Sequence, residues 1–182
     1  MLKQMTQAAL SAALLVSASA HADITVLSTA TFGGHTYQML SDDTWTNSEA
    51  FAVSHGGHLV AVNSGAENDF ISTTFGSSVA LWIGLNRTAP GASTFAWSNG
   101  DAVTYTNFAG GEPNNAGGNE DYVHTYVGGQ WNDLPNDSGY AGPKHGVVEI
   151  TPVPEPESWA MMLAGLGLLG VFARRGKANL ST

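Results

Sequence analysis

The chain contains 182 residues, of which six are Lys or Arg and fifteen are Asp or Glu, and it has no cysteine. This length has room for one hydrophobic core of ordinary size, and the missing cysteines exclude a scaffold held by disulfide bonds. Between residues 23 and 152 the basic residues are Arg87 and Lys144, against thirteen acidic residues. So acidic a segment cannot neutralise phosphate groups, which excludes nucleic acid as a partner and suits an extracellular module with a cation site.

The first 22 residues have the order of parts of a secretory signal peptide. Lys3 gives a basic start, residues 8–16 are apolar apart from one serine, and residues 20–22 form a small-x-small cleavage site. A short buried helix is the alternative interpretation, but it does not explain this order. We therefore predict a signal peptide over residues 1–22 and a mature chain that begins at Asp23.

Two helices and five strands are expected in the middle of the chain. The first helix begins at a capping box over residues 46–49 and ends at the glycines 56–57. The second begins at a capping box over residues 64–67 and ends at Gly76, with its apolar side facing the core. Apolar and β-branched runs predict strands over residues 36–40, 58–62, 79–85, 123–126 and 146–150.

A long segment over residues 86–122 is rich in Gly, Asn, Thr and Ser and has few apolar side chains. Loops of this length inside a compact domain are functional or disordered. The end of this segment and the residues that follow it carry a set of oxygen-bearing side chains, namely Glu112, Asn114, Glu120, Asn132 and Asp133.

These five side chains have the chemistry of a calcium site, because Ca²⁺ prefers six to eight oxygen ligands from carboxylates and carbonyls. Glu112 and Asn114 are two residues apart and point to the same side of an extended segment. The glycines 117–118 allow a reversal that returns Glu120 toward them. The alternative interpretation is a solvated surface loop followed by a core tryptophan, Trp131.

At these positions the sequence resembles the C-type lectin domain family. The shared motifs are Glu-Pro-Asn at residues 112–114, Glu120, and Trp-Asn-Asp at residues 131–133. Upstream, Trp-Ile-Gly-Leu at residues 82–85 matches a core strand of the family, and residues 45–62 look like its first helix and following strand. The resemblance extends over nearly all of residues 33–150.

The resemblance implies an α+β fold over residues 23–152, with two helices, small antiparallel sheets and a long loop organised by calcium. It implies that Glu112, Asn114, Glu120, Asn132 and Asp133 bind Ca²⁺, and that the first four also bind two neighbouring hydroxyls of a sugar. In the family, Glu-Pro-Asn accompanies mannose-type ligands. One alternative is a non-lectin module in which calcium stiffens the loop for another partner, and a second is a structural matrix protein that binds neither.

The chain departs from the family pattern in two ways. Family members commonly have two disulfides, whose positions are occupied here by Ala52 with Val148 and by Tyr122 with Asn136. A second calcium site, found in some relatives, is expected to be absent or weak, because the loop after Leu85 offers an arginine instead of an acid.

Enzymatic activity is not expected. The six histidines have no zinc-like spacing, and no serine lies in a Gly-x-Ser-x-Gly elbow. Glu112 and Glu120 could form a glycosidase pair, but a bound cation explains both carboxylates better.

The C-terminal segment, residues 153–182, resembles a PEP-CTERM sorting signal. It has Pro154-Glu155-Pro156, an apolar run over residues 159–173, and Arg174 with Arg175. The resemblance implies a Gram-negative-type bacterium, an exosortase-type sorting enzyme, and an exported protein at the cell surface or in the extracellular matrix. The apolar run implies a short transmembrane helix that anchors the chain transiently in the inner membrane, and an ordinary membrane anchor is the alternative. The expected ligand is a glycan or an exopolysaccharide.

Overall fold

The structure is a computed structural model that describes residues 23–137, 139 and 142–150. This part of the chain contains two α-helices and eight β-strands. The helices are α1 (Trp45–Ser54) and α2 (Gly65–Thr74). The strands are β1 (Val26–Phe32), β2 (His35–Asp42), β3 (His58–Leu59), β4 (Ala80–Arg87), β5 (Phe95–Trp97), β6 (Tyr122–Thr125), β7 (Trp131–Leu134) and β8 (Lys144–Ile150).

The strands form one hydrogen-bonded network in the order β1-β2-β8-β4-β6-β7, with β3 paired to β8 and β5 paired to β4. Every pair is antiparallel except β4 with β8, which is parallel. The α+β fold with two helices is confirmed, and the strands, expected as small antiparallel sheets, join into one mixed sheet. Strands β4 and β8 are distant in sequence, so no local pattern predicts that they pair.

The N-terminal hairpin of β1 and β2 extends the sheet beyond the first strand that the sequence predicted. Phe32 pairs with His35, which leaves Gly33 and Gly34 as a two-residue turn. Both glycines have positive φ, +61° and +89°, as such hairpin turns require. The Gly-Gly pair was therefore the sequence signal for this hairpin.

The start of α2 is confirmed, and the start of α1 differs from the prediction. Ser64 caps α2 by accepting a hydrogen bond from the backbone N–H of Glu67 at 3.2 Å. Helix α1 is capped by Thr44, two residues earlier than expected. Glu49 does not close a capping box, because its carboxylate accepts hydrogen bonds from His58 Nδ1 at 2.6 Å and from the backbone N–H of Leu59 at 2.8 Å.

Noncovalent contacts occupy the positions at which relatives have disulfides. Ala52 and Val148 are fully buried in the same hydrophobic cluster, and Tyr122 packs against that cluster. Asn136 accepts a hydrogen bond from the backbone N–H of Thr46 at 3.1 Å and donates one to the Thr46 hydroxyl at 2.8 Å. The start of α1 is thus attached to the segment after β7 without a covalent bond.

The predicted signal peptide and sorting signal lie outside the described residues. Within the described ranges, no helix is long and apolar enough to cross a membrane. The transmembrane helix expected over residues 159–173 also lies outside these ranges. The domain limits at residues 22 and 152 remain predictions.

Candidate functional site

The site is built on Trp131, the first residue of β7. Its indole ring is fully buried. The rings of Trp97, Tyr105 and Phe108 surround it at centroid distances of 5.8, 5.7 and 5.7 Å. Its Nε1–H donates a hydrogen bond to Asn68 Oδ1 in α2 at 2.8 Å, so the one polar atom of the ring is satisfied. Trp131 thereby fixes the residues that follow it against the core.

The long loop returns to β7 through backbone hydrogen bonds. The Trp131 N–H donates to the carbonyl of Asn107 at 2.8 Å, and the Ala109 N–H donates to the carbonyl of Trp131 at 2.9 Å. The Glu112 N–H then donates to the carbonyl of Ala109 at 3.0 Å. These contacts bring the Glu-Pro-Asn segment alongside the Trp-Asn-Asp segment, although the two are far apart in sequence.

Three of the five predicted ligands are linked through one turn of the loop. Asn114 Nδ2 donates to Glu112 Oε1 at 2.9 Å. The Ala116 N–H donates to Asn114 Oδ1 at 2.8 Å and also to the carboxylate of Glu120. Asn115 adopts a left-handed conformation, with φ of +48°, and the peptide bond before Pro113 is cis.

The other two predicted ligands lie side by side in β7. Asp133 is fully buried, and its carboxylate accepts hydrogen bonds from the backbone N–H groups of Asn114 at 3.1 Å and Asn115 at 3.0 Å. Asn132 pairs with His124 across the sheet. The fold therefore brings Glu112, Asn114, Glu120 and Asp133 together, and Asn132 is the neighbour of Asp133 in β7.

The oxygen atoms available as ligands suit a calcium ion. Glu112 Oε2 and Asn132 Oδ1 are buried oxygens with no hydrogen-bond partner among the described residues, and both belong to the predicted ligand set. Other unpartnered buried atoms, including Trp97 Nε1, lie outside it. A buried oxygen without a donor is costly, and a cation relieves that cost.

Carboxylates alone do not complete the site. Within the part of the chain that the structure describes, no three His, Asp or Glu side chains are grouped closely enough to hold a metal ion by themselves. A cation here therefore needs the amide oxygens of Asn114 and Asn132 in addition to the carboxylates. Mixed carboxylate and amide oxygen ligands are usual for calcium.

The electrostatics of the site also favour a cation. Burial raises the pKa of the Glu120 carboxyl, and the negative charges of Asp133 and Glu112 raise it further, while the hydrogen bond from Ala116 and the charge of Arg87 oppose the shift. Partial burial and the same acidic side chains raise the pKa of the Tyr126 hydroxyl. A bound divalent cation would offset this repulsion.

Arg87 has a larger role than the sequence suggested. Sequence reasoning expected it only to disfavour a second cation, yet its guanidinium pairs with the carboxylate of Asp133. Its Nε–H also donates to the carbonyl of Glu120 at 2.8 Å. The signal in the sequence was an arginine two residues after a predicted apolar strand, in a segment with few basic residues. Asn68 was missed because it is an ordinary polar residue within a helix.

Among the described residues, the histidines do not come together in a metal-binding group. His35 pairs with Glu149, and His145 contacts the carbonyl of Leu40 at 2.8 Å. His124 is buried, and burial together with the charge of Lys144 lowers its pKa to about 4. These are packing and surface roles.

Comparison with known proteins agrees with this geometry. The family model described as "Lectin C-type domain" matches residues 41–140. The chain belongs to the C-type lectin domain family. Domains of this family are carbohydrate-binding proteins without enzymatic activity. A second model, the PEP-CTERM protein-sorting motif, matches residues 152–177 and supports export from a Gram-negative-type bacterium.

Several curated proteins are similar to the chain. Lactose-binding lectin l-2 of Anguilla japonica is 39% identical over 101 residues, or 52% of this chain. C-type lectin domain family 17, member A, and C-type mannose receptor 2, both of Homo sapiens, are each 36% identical, over 52% and 57% of this chain. The chain spans 60%, 24% and 7% of the lengths of these three relatives, respectively.

Solved structures show the same fold. The C-type lectin CEL-I of Cucumaria echinata superposes with a TM-score of 0.61 at 29% identity, over 68% of this chain and 94% of that one. The carbohydrate-recognition domain of cow CD23, solved in the presence of a GlcNAc2Man3 oligosaccharide, gives a TM-score of 0.61 at 25% identity, over 69% of this chain and 95% of that one.

Proposed function

We propose that this protein is a calcium-dependent lectin that binds mannose-type sugars outside the cell. Membership of a carbohydrate-binding family supports the general activity. The observation that carries the calcium dependence is the pair of buried, unpartnered oxygens, Glu112 Oε2 and Asn132 Oδ1, within the predicted ligand set. Among the described residues, Asn132 Oδ1 is the one buried side-chain amide oxygen without a hydrogen-bond partner, and Glu112 Oε2 is the one such carboxylate oxygen.

Five side chains would hold the ion: Glu112, Asn114, Glu120, Asn132 and Asp133. Bound calcium would coordinate two neighbouring hydroxyls of a sugar ring. Glu112 and Glu120 would accept hydrogen bonds from those hydroxyls, while the amide groups of Asn114 and Asn132 would donate to them. Each hydroxyl would thus donate a hydrogen bond to one carboxylate and accept one from one amide: Glu112 with Asn114 for the first, and Glu120 with Asn132 for the second.

The single-site affinity should be weak, because two hydroxyls in a shallow, wet site give few contacts. Asn114 is exposed, and Glu112 is half-buried, so the binding edge is open to solvent. Affinities on the order of millimolar are expected, at which firm attachment depends on several sites acting together. A repetitive exopolysaccharide offers such sites.

The mature protein is proposed to comprise residues 23–152 and to act at the cell surface or in the extracellular matrix. An exosortase-type enzyme would recognise Pro154-Glu155-Pro156, with Arg174 and Arg175 completing the signal. Any membrane association would be transient. The match of the sorting-motif model to residues 152–177 supports this route.

A non-lectin use of the fold is the second candidate. One similar protein, 42% identical over 77 residues, is named a low affinity immunoglobulin epsilon Fc receptor, which indicates a protein ligand for that relative. In this alternative calcium stiffens the loop for a protein partner. The two candidates differ in whether a free sugar binds.

The test is titration calorimetry of the full chain with calcium, and then with mannose and lactose in the presence and absence of calcium. The two sugars are chosen because the similar proteins include a mannose receptor and a lactose-binding lectin. We expect calcium to bind and mannose to give heat only when calcium is present. The variant Asn132→Asp should lose the sugar heat, because it removes the amide donor.

Other outcomes would change the conclusion. Lactose binding without mannose binding would overturn the proposed mannose-type specificity but not the proposal that the protein is a lectin. Calcium binding without either sugar would favour the protein-binding alternative. Absence of calcium binding would overturn the site itself.

A further inference from the structure

Arg87 is a buried cation at the end of β4, directly behind the candidate site. Its side chain is 4% exposed. The guanidinium pairs with the carboxylate of Asp133, donates to the carbonyl of Glu120 at 2.8 Å, and donates to the carbonyl of Ala92. Its central carbon lies 4.6 Å from the centroid of the Phe95 ring. The charge is therefore enclosed by oxygen atoms on one side and an aromatic ring on the other.

Asp133, the partner of Arg87, also holds the loop over residues 112–121. The carboxylate of Asp133 is fully buried and accepts the backbone N–H groups of Asn114 and Asn115. Arg87 thus acts on the loop through Asp133, although it contacts neither of these asparagines in the described structure. A buried carboxylate keeps its charge and orientation only when a counterion and hydrogen bonds compensate its desolvation.

Arg87 also fixes the start of β6 through backbone contacts. The Arg87 N–H donates to the carbonyl of Asp121 at 2.8 Å, and the Gly91 N–H donates to the Asp121 side chain at 2.8 Å. The residue therefore joins three segments: the β4–β5 turn, the end of the long loop, and β7. The planar guanidinium can serve several oxygens at once, which an ammonium group cannot do with the same geometry.

We propose that Arg87 is a positioning residue, an internal cation that keeps Asp133 and the loop over residues 112–121 in their ligand-binding arrangement before calcium binds. The calcium ion then binds to a loop that is already shaped. The proposal depends on the proposed function for what the loop binds, but its test does not require calcium or sugar to bind. It also accounts for loop order in a chain that has no disulfide.

The test is hydrogen exchange of backbone amides, measured by NMR on the full chain in EDTA and then with saturating calcium. In the wild type, the amides of Asn114 and Asn115 should exchange in EDTA at least about tenfold more slowly than an amide in an unfolded chain. In Arg87→Lys, this protection should fall by at least about tenfold in EDTA, because the single ammonium cannot replace the fork. Where the variant binds calcium, the ion should restore it.

Two controls separate loop positioning from general stability. The core amides of Val60 and Gly84, which donate within the sheet region at 2.8 Å, report whether Arg87→Lys remains folded. Asp121→Asn weakens the contact with Gly91 and removes the ion pair between Asp121 and Arg87 Nε at 3.9 Å, but it leaves the pair of Arg87 and Asp133 intact. It should not change the exchange of the amides bound to Asp133.

Each result decides the proposal. Free exchange of Asn114 and Asn115 in wild type without calcium would overturn it, as would full protection in a folded Arg87→Lys. If the variant fails to fold, the wild-type comparison in EDTA decides alone. Protected amides with no calcium heat would overturn the proposed function while leaving the role of Arg87 intact. Calcium heat with unprotected amides would overturn the role of Arg87 while leaving the proposed function intact.

Discussion

The contact between Asn68 and Trp131 shows how one buried hydrogen bond positions a site. The indole Nε1–H and the Asn68 amide oxygen are both buried, and each satisfies the other at 2.8 Å. Two ligands, Asn132 and Asp133, follow this tryptophan directly. Removal of the amide would leave the indole N–H without an acceptor, so its effect should exceed that of losing an exposed hydrogen bond.

We expect Asn68→Ala to lower the free energy of unfolding by about 1–3 kcal/mol, because an unsatisfied buried donor keeps its full desolvation cost. Urea unfolding in EDTA measures this. Asn119→Ala is the matched control, since Asn119 is exposed, and it should change stability by less than about 0.5 kcal/mol. Equal effects of the two variants would contradict the role assigned to Asn68.

His124 should make stability depend on pH. Burial, together with the charge of Lys144, lowers its pKa from 6.5 to about 4. The unfolded chain therefore binds a proton between these values that the folded chain does not, and the folded state loses stability as pH falls below about 6.5. The loss due to this group should be about 2 kcal/mol between pH 7 and pH 5.

The measurement is urea unfolding at pH 7 and pH 5 in EDTA, for the wild type and for His124→Gln. The variant cannot titrate at this position, so its stability should change less between the two pH values. The same pH dependence in both proteins would show that other groups cause it.

At the scale of elements, the close approach of two segments explains the glycine in the Trp-Ile-Gly-Leu strand. A Cβ atom on Gly84 would lie 2.3 Å from the backbone carbonyl oxygen of Leu59. The Gly84 N–H donates to the carbonyl of Val60 at 2.8 Å, so the two segments are held together here. A side chain at this position would force β4 away from the segment that follows α1.

Gly84→Ala should therefore lower the free energy of unfolding by about 1–3 kcal/mol or more, because backbone must move to relieve the contact. Gly110→Ala is the control, since a Cβ there meets nothing within 4 Å. Thermal unfolding monitored by circular dichroism compares the two. A stable Gly84→Ala protein would show that the segments can separate at little cost.

For the whole molecule, we expect the stability to depend on cations, because the chain is acidic and has no cysteine to form disulfides. The described core holds itself together by packing, including Ala52 against the cluster that contains Val148. The site edge, in contrast, places Glu120 under the influence of two negative charges: burial raises the pKa of its carboxyl, and the charges of Asp133 and Glu112 raise it further. Calcium that binds only the folded state would add to the free energy of unfolding.

We expect calcium at one hundred times its dissociation constant to stabilise the wild type by about 2.7 kcal/mol, measured as a rise in Tm. Glu120→Gln should lose most of this rise, because it removes a charged ligand. Asp69→Asn is the charge-matched control, since Asp69 is exposed on α2, and it should keep the rise. Loss of the rise in both variants would indicate a general charge effect.

Much of the fold and the candidate site could be predicted from local patterns and from the family resemblance. Ser64 and Glu67 indicated the start of α2 correctly, because a capping contact involves residues only three apart. The start of α1 was placed two residues late, because Thr46 and Thr44 offer similar hydroxyls. The carboxylate of Glu49 instead contacts His58 and Leu59.

The amino-acid sequence by itself determined the family, the two helices and the set of side chains that form the candidate calcium site, since these depend on residue type and spacing. Only the tertiary structure decided that Arg87 pairs with Asp133, 46 residues away, and that Asn68 supports Trp131, 63 residues away. It also decided that β4 and β8 pair in parallel. The physical reason is that a buried charge or donor takes its partner from whichever segment the packed core brings near, and no local pattern records that choice.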